Sequence, residues 1–353
     1  MIENFDKQIS ALGADAFLIV KKPNVRYVSG FCGDDSFLLV SLKDKFILTD
    51  PRYTEQAAIE CPDFEIINQR AMGGLGACIG TLCAEHHISS LAFEADAVNV
   101  LTFNDIQAHF SGELIPAVDV VEKLRSIKNP TEIQYLRNAC EISCRAFRRL
   151  LNEIRVGVTE KELAAKLSLF MVEEGADTQP YGNILISGAR TSLLHGIPSE
   201  KAIQYGDFVL MDFGCQFNGY LSDMTRTVVV GKPTEKQREI YAIEKQMVED
   251  AEKEMRAGAS LKKVYEASIR CIQGTEYFPY HYTGIGHGIG MFVHEMPFIG
   301  PKSEAVFAAG NVQTIEPGLY IPGWGGVRIE DQVLITENGY ENMISVPHDL
   351  IEL

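Results

Sequence analysis

Basic residues are in short supply: 32 Lys+Arg stand against 48 Asp+Glu, a formal net charge of −16 at pH 7. Nucleic acid and anionic membrane surfaces present phosphates that need a basic face, so neither is an expected partner. Long apolar runs are missing as well. Stretches such as Ala16-Phe17-Leu18-Ile19-Val20 fall far short of the roughly 20 residues that span a bilayer. Met1 to Ser10 carries Glu3 and Asp6 and no basic segment followed by an apolar one, so no signal peptide is expected. None of the eight cysteines forms a Cys-x-x-Cys pair, and a chain this long needs no disulfide framework. They read as reduced, mostly buried small hydrophobes of a cytoplasmic protein. Low-complexity segments and fixed-period repeats are also lacking. What remains is ordinary globular composition, 46% hydrophobic and 23% charged over 353 residues, a length that suggests two domains.

The first third alternates β-rich runs with helical patterns. Asp15–Val20, Ser36–Val40, Lys45–Thr49, Phe64–Ile67 and Ser90–Glu94 read as strands; Tyr53–Glu60, Gly76–His87 and Leu101–His109 read as helices. This alternation predicts an α/β layer with a mixed sheet. A basic cluster at Lys123–Lys128 then precedes Asn129-Pro130-Thr131-Glu132, a helix cap and first turn, and places a domain boundary near residue 125. The division expected is 1–125 and 126–353. Helices follow to Ile154, from Thr159 (a capping-box start) to Gly175, at Glu235–Ala257 and at Leu261–Gln273. The second domain reads as α+β, with antiparallel strands between and after its helices.

Carboxylates stand there where a core should be. Two β runs, Phe208–Phe217 and Tyr220–Val230, flank Asn218-Gly219, the strongest short hairpin signal. If those two residues form the turn, Asp212 faces Thr225, and Asp212 and Asp223 become diagonal neighbours on one face, with Cα atoms roughly 7–8 Å apart. Asp is depleted in strands, and two ionised, dry carboxylates would repel, so either the face is solvated or a positive group holds them: Arg226, another basic residue, or cations. Near the end, Glu316 closes the strand Asn311–Glu316 at Pro317-Gly318, and Glu330 shares a strand face with Arg328 and Gln332 in Gly326–Val333. Between the pairs, Gly286 and Gly288 leave the His287 imidazole open to a ligand. Four carboxylates and one imidazole form a hard, oxygen-rich donor set, suited to two divalent ions about 3.5–4 Å apart. Mn²⁺ or Co²⁺ fits it better than a thiolate-type zinc site, although Zn²⁺ also binds such donors. Trp324, the lone tryptophan, is either a core or loop anchor or a wall of the site.

In that order and context, Asp212, Asp223, His287, Glu316 and Glu330 closely resemble the ligands of the pita-bread metallopeptidases. That family holds methionine aminopeptidases, Xaa-Pro aminopeptidases, Xaa-Pro dipeptidases and the metal-free creatinases. The resemblance covers roughly residues 130–353, with Gly219–Thr227 and Gly286–Gly290 as specific motifs. Gly326-Val327-Arg328-Ile329-Glu330-Asp331 is similar to the proline-specific branch, which also places a creatinase-like α/β domain before the catalytic one. The resemblance implies two metals per chain sharing a hydroxide, with Glu316 accepting the water's proton and delivering it to the leaving nitrogen. It implies that His294 contacts the substrate carbonyl and that His195 lines the site. Arg328 and Thr225 support the ligands or the substrate. The substrate implied is a short proline-containing peptide, with dipeptidase and aminopeptidase activities both open, and the assembly implied is a homodimer. A creatinase-like amidinohydrolase or a non-catalytic binding module fits less well, because all five ligand positions are filled. One departure concerns a further family histidine four residues before the metal-binding one. Thr283 stands there, and His281 lies two residues earlier.

Overall fold

A computed structural model describes residues 2–179 and 181–353, with side chains from residue 5 onward; of the opening stretch Met1–Ser10, Met1 lies outside them. The chain divides into two compact units, Met1–Arg125 and Ser126–Leu353.

The first unit runs α1 (Ile2–Ala11), β1 (Ala16–Ile19), α2 (Lys22–Ser29), β2 (Phe37–Ser41), β3 (Lys45–Thr49), α3 (Thr54–Glu60), β4 (Glu65–Asn68), α4 (Leu75–Glu85), β5 (Ser90–Glu94), α5 (Val100–His109), β6 (Glu113–Ala117) and α6 (Val120–Ser126). Its sheet has the order β4-β3-β2-β1-β5-β6. β1–β2 and β2–β3 pair antiparallel, the other neighbours parallel. β1 is apolar at every position because both faces are covered. Phe17 and Ile19 meet α1, α2 and α6 through Phe5, Ile9, Val25 and Val121. Ala16 and Leu18 meet α4 and α5 through Ile79, Leu82 and Ile106. The mixed sheet is the one the alternation predicts.

The second unit begins with α7 (Pro130–Leu150) and α8 (Glu160–Glu173), each opened by a capping box, Asn129 with Glu132 and Thr159 with Glu162. β7 (Ile184–Ser187), β8 (Phe208–Phe213), β9 (Gln216–Phe217), β10 (Tyr220–Leu221) and β11 (Met224–Val229) follow, then α9 (Glu235–Glu252) and α10 (Leu261–Ser268). The chain closes with β12 (Gly286–Gly288), β13 (Glu295–Ile299), β14 (Val312–Ile315), β15 (Gly318–Ile321), β16 (Gly325–Arg328), β17 (Asp331–Ile335) and β18 (Tyr340–Asn342). Sheets of order β11-β8-β7 and β13-β12-β14-β17-β18 carry the polar residues, and β15 pairs with β16. One apolar cluster lies between α7, α8 and the β8–β11 ribbon, and a second gathers α9 and α10 against β15 to β17.

The Asn218-Gly219 turn has positive φ at both residues, 49° and 84°, as a two-residue hairpin turn of matching twist requires. It sets the expected register, with Asp212 opposite Thr225. One strand reading needs correction. Gly326–Val333 is not continuous: β16 stops at Arg328 and β17 starts at Asp331. Glu330 lies in the break because its amide donates to Thr225 O at 3.0 Å, while Arg226 Nη1 donates to Glu330 O at 2.7 Å. Pairing with β11 has displaced ladder continuation.

All eight cysteines are free, with Cys32 and Cys271 exposed. No helix among the described residues is long and apolar enough to cross a membrane. Glu244 on α9 is 0% exposed in the second apolar cluster's helix, and neither carboxyl oxygen has a hydrogen-bond partner of good geometry. Burial, opposed by the Ile329 amide and the Arg328 charge, pushes its pKa far above the ordinary range. An unsatisfied buried polar group costs about 1–3 kcal/mol. Glu244→Met is therefore expected to raise the unfolding temperature, measured by thermal denaturation; a lowered one would show that the carboxyl has a partner that stabilises the fold.

Candidate metal centre

Successive side chains of β8 point to opposite faces of the sheet. Val209, Met211 and Phe213 bury in the cluster under α7 and α8, so Asp212 points out of the opposite face. Asp223, just before β11, is positioned from outside the ribbon. Its amide donates to Gln332 Oε1 at 3.0 Å, and Tyr181 Oη donates to its Oδ1 at 2.8 Å and to Ser222 O at 2.9 Å. His287 is the middle residue of β12, Glu316 follows β14 at the Pro317 break, and Glu330 occupies the β16–β17 break. All five line one cavity of about 410 Å³, together with His195, His294 and Arg328. Such a volume suits a small ligand. Thr225 stands behind it, its hydroxyl donating to Glu330 Oε2 at 2.6 Å and accepting from Arg328 Nε at 3.1 Å.

The donor atoms of the cluster lie close together. His287 Nε2 lies 3.3 Å from Glu316 Oε1 and 3.8 Å from Asp223 Oδ2. Asp223, His287 and Glu330 each offer a donor atom within 4.8 Å of the others. His287 Nδ1 meets Gly288 O at 3.0 Å, which leaves Nε2 to face the carboxylates. Burial first, then the Asp212 and Glu316 charges, push the Asp223 carboxyl well above its usual range. Glu330 is raised in the same way, by burial and then by Asp223 and Glu316. Asp212 is also raised by burial, with Arg328 opposing. Glu316 is lowered, because the His287 bond and charge outweigh its burial. His287 rises to about 9: burial opposes this, but the Glu316 bond and the Glu316 and Asp223 charges prevail. His294, whose ring centroid is 4.5 Å from that of His287, is lowered by burial and by the His287 charge.

Arg328 is the one guanidinium among the described lining residues. Its Nη2 pairs with Asp212, Nη1 donates to Tyr320 Oη at 2.7 Å and to Leu194 O at 3.3 Å. Two buried carboxylates, Asp223 and Glu330, and two half-buried ones, Asp212 and Glu316, thus gather around one arginine and the His287 imidazole, and the oxygen-rich donor set fits divalent cations. A neighbouring acid cluster does not call for one. Asp331 is already held by Arg226 Nη2 at 2.6 Å and His348 Nε2 at 2.5 Å, and this pair anchors the backbone that presents Glu330.

Gln332, read only as a strand-face neighbour of Glu330, positions Asp223, and two further positioning residues escaped the sequence reading: Tyr181 at Asp223 and Tyr320 at Arg328. No periodicity or motif marks them. His281 does not line the cavity, and its ring nitrogens are taken by Tyr265 Oη at 3.0 Å and Phe278 O at 2.6 Å. Thr283 is not among the lining residues either. Trp324 stacks edge-on against Phe208 at 6.1 Å with Lys236 over its ring, away from that cavity. It is a loop anchor.

Comparison with known proteins divides the chain similarly. Residues 1–127 match the creatinase/prolidase N-terminal domain, and residues 134–337 match metallopeptidase family M24. An Xaa-Pro dipeptidase of Pyrococcus horikoshii is 34% identical over 99% of this chain and 97% of its own. The solved structure of an Xaa-Pro dipeptidase from Bacillus anthracis superposes with a TM-score of 0.95 at 36% identity, covering 100% of this chain and 99% of that one. That of an X-Pro aminopeptidase from Thermotoga maritima gives 0.91 at 34% identity, covering 99% and 100%. The chain belongs to metallopeptidase family M24, hydrolases that cleave peptide bonds with divalent metal ions, and carries a creatinase/prolidase N-terminal domain.

Proposed function

We propose that the chain hydrolyses Xaa-Pro bonds at the amino end of dipeptides or short peptides, using two divalent ions, Mn²⁺ first among them. The convergence of Asp212, Asp223, His287, Glu316 and Glu330 on one cavity carries this reading. These five residues would hold the ions, and relatives named for Xaa-Pro substrates supply the bond type. Bound there, the ions would supply an acidified water and polarise the scissile carbonyl.

The chain's own residues do the rest. Glu316, kept ionisable by its bond to His287, accepts a proton from the attacking water and returns it to the proline nitrogen as the bond breaks. His294, whose pKa burial and the His287 charge lower, donates an N–H to the carbonyl oxygen as charge builds there. His195 lines the same wall and contacts the substrate. Arg328 and Thr225 fix Asp212 and Glu330 in place. An Xaa-Pro bond has no amide hydrogen and a fixed φ, so recognition falls to pocket shape and to the peptide's amino end.

The reading includes two domains, 1–125 and 126–353, and a cytoplasmic homodimer, which the family resemblance and eight free cysteines support. Light scattering tests the dimer. The main test is metal analysis of Mn²⁺-reconstituted protein with hydrolysis of Ala-Pro and Ala-Pro-Ala. About two ions per chain and cleavage of either peptide is the expected result. Bound metal without cleavage of either would defeat it.

A further inference from the structure

We infer that this cavity selects Xaa-Pro peptides that continue beyond the proline over free Xaa-Pro dipeptides, and that Phe298 and Tyr282 form the wall along which the continuing chain lies. The inference rests on the Xaa-Pro reading above and concerns the group attached to the proline carbonyl.

In a dipeptide the free carboxylate sits on the proline Cα, so its carbon lies only about 2.5 Å from the nitrogen being released. It must therefore be received inside the cavity or at its mouth. A carboxylate removed from water needs charge-assisted donors. Among the described residues lining the cavity there is no lysine, and Arg328 is the sole arginine. Arg328 is buried and spends its donors on Asp212, Tyr320 Oη, Leu194 O and Thr225 Oγ1. The four lining carboxylates would hold the two cations, and His287 and His294 serve that centre and the scissile carbonyl, so beyond His195 the lining has no uncommitted cationic or imidazole donor for a fifth carboxylate.

Two large aromatic side chains stand where a cation would be useful. Phe298 is the cross-strand partner of His287, and Tyr282 lies on the segment leading into β12. Both line the cavity, and both are 53% exposed. Half-exposed aromatic rings at a cavity mouth gain most from a neutral, flat group laid against them. The amide after the proline of a longer peptide is such a group, and each further residue moves the terminal carboxylate roughly 3.3–3.6 Å away. The charge pattern therefore favours an amide over a carboxylate at this point.

The experiment compares kcat/KM of the Mn²⁺-loaded full chain on Ala-Pro, Ala-Pro-amide and Ala-Pro-Ala, with Phe298→Arg and Phe298→Leu variants alongside. The parent is expected to favour both Ala-Pro-amide and Ala-Pro-Ala over Ala-Pro by roughly tenfold or more, the scale of one charge-assisted hydrogen bond. Phe298→Arg should raise the rate on Ala-Pro alone and narrow that ratio, while Phe298→Leu leaves the order of preference intact. Equal or faster cleavage of Ala-Pro by the parent overturns the inference and leaves the Xaa-Pro reading standing. Cleavage of none of the three removes the Xaa-Pro reading itself. If Phe298→Arg changes the oligomeric state with the ratio unmoved, the wall belongs to a second copy of the chain, and the inference fails. Inhibition of the parent by prolinamide but not by proline would support it without any variant.

Discussion

Glu330→Gln is expected to lower peptide hydrolysis and metal affinity by well over 100-fold while leaving the metal-free protein at least as stable as the parent. The two halves follow from one fact. Glu330 is 1% exposed, bonded through Thr225, and surrounded by like charges. Removing its charge takes away a donor that the cations need and also a repulsion that the metal-free fold must bear. Asp212→Asn should behave differently. Asp212 pairs with buried Arg328, and losing one partner of a buried pair typically costs about 3–5 kcal/mol. Here roughly 1–3 kcal/mol is expected, because Glu316 and Glu330 still face that guanidinium. Tyr181→Phe is the graded control. It removes only the hydroxyl that steadies Asp223, so metal affinity should fall by roughly 10–100-fold with ligands intact. Metal titration, hydrolysis rates and thermal denaturation of the chelated variants separate the three. Full activity with unchanged ion content in Glu330→Gln would dismantle the metal centre, and a chelated Glu330→Gln much less stable than the parent would show that the carboxylate is held by cations of the protein.

Much of this centre is legible in the residues alone, for identifiable reasons. Asn218-Gly219 dictates a two-residue turn, and the strand period then carries Asp212 to Thr225 with no further information. Glu316 sits at a Pro-Gly break that ends any strand. The interruption at Ile329–Glu330 was not read, although Asp331 breaks the alternation set by Val327, Ile329 and Val333; it arises because Glu330 pairs with Thr225 from a distant part of the chain. Tyr181 was hidden for a related reason. It reaches Asp223 across 42 residues from a loop, and loops carry no period. In the first unit, β6 went unread because Pro116 interrupts its strand pattern. Proline is tolerated there because β6 is an edge strand of the sheet.

Chelation should destabilise the protein more at pH 8 than at pH 5.5, and the direction of each group's pKa gives the sign. Asp223 and Glu330 have folded-state pKa values raised by burial and mutual repulsion above their ordinary 3.8 and 4.5. Stability linked to a raised pKa is fully present below the unfolded value and is lost as pH rises through the folded one. Metal-free protein therefore loses stability on going from pH 5.5 towards 8. His287, raised to about 9, adds to the same trend near the upper end of that window. Glu316, lowered, loses its contribution only as pH falls below about 4.5, outside the window. His294, also lowered, contributes above its ordinary 6.5 and loses that contribution at lower pH, so this one imidazole opposes three raised carboxyls, Asp212 being the third. Divalent ions reverse the balance, because each proton they displace is easier to displace at higher pH. Metal at 100 times its Kd adds about 2.7 kcal/mol, and that gain should itself grow with pH. The unfolding temperatures of Mn²⁺-loaded and chelated protein, measured from pH 5.5 to 8, should therefore diverge. Parallel curves would mean that the carboxylates of the cavity are compensated by the protein alone, and the case for cations between them would be lost.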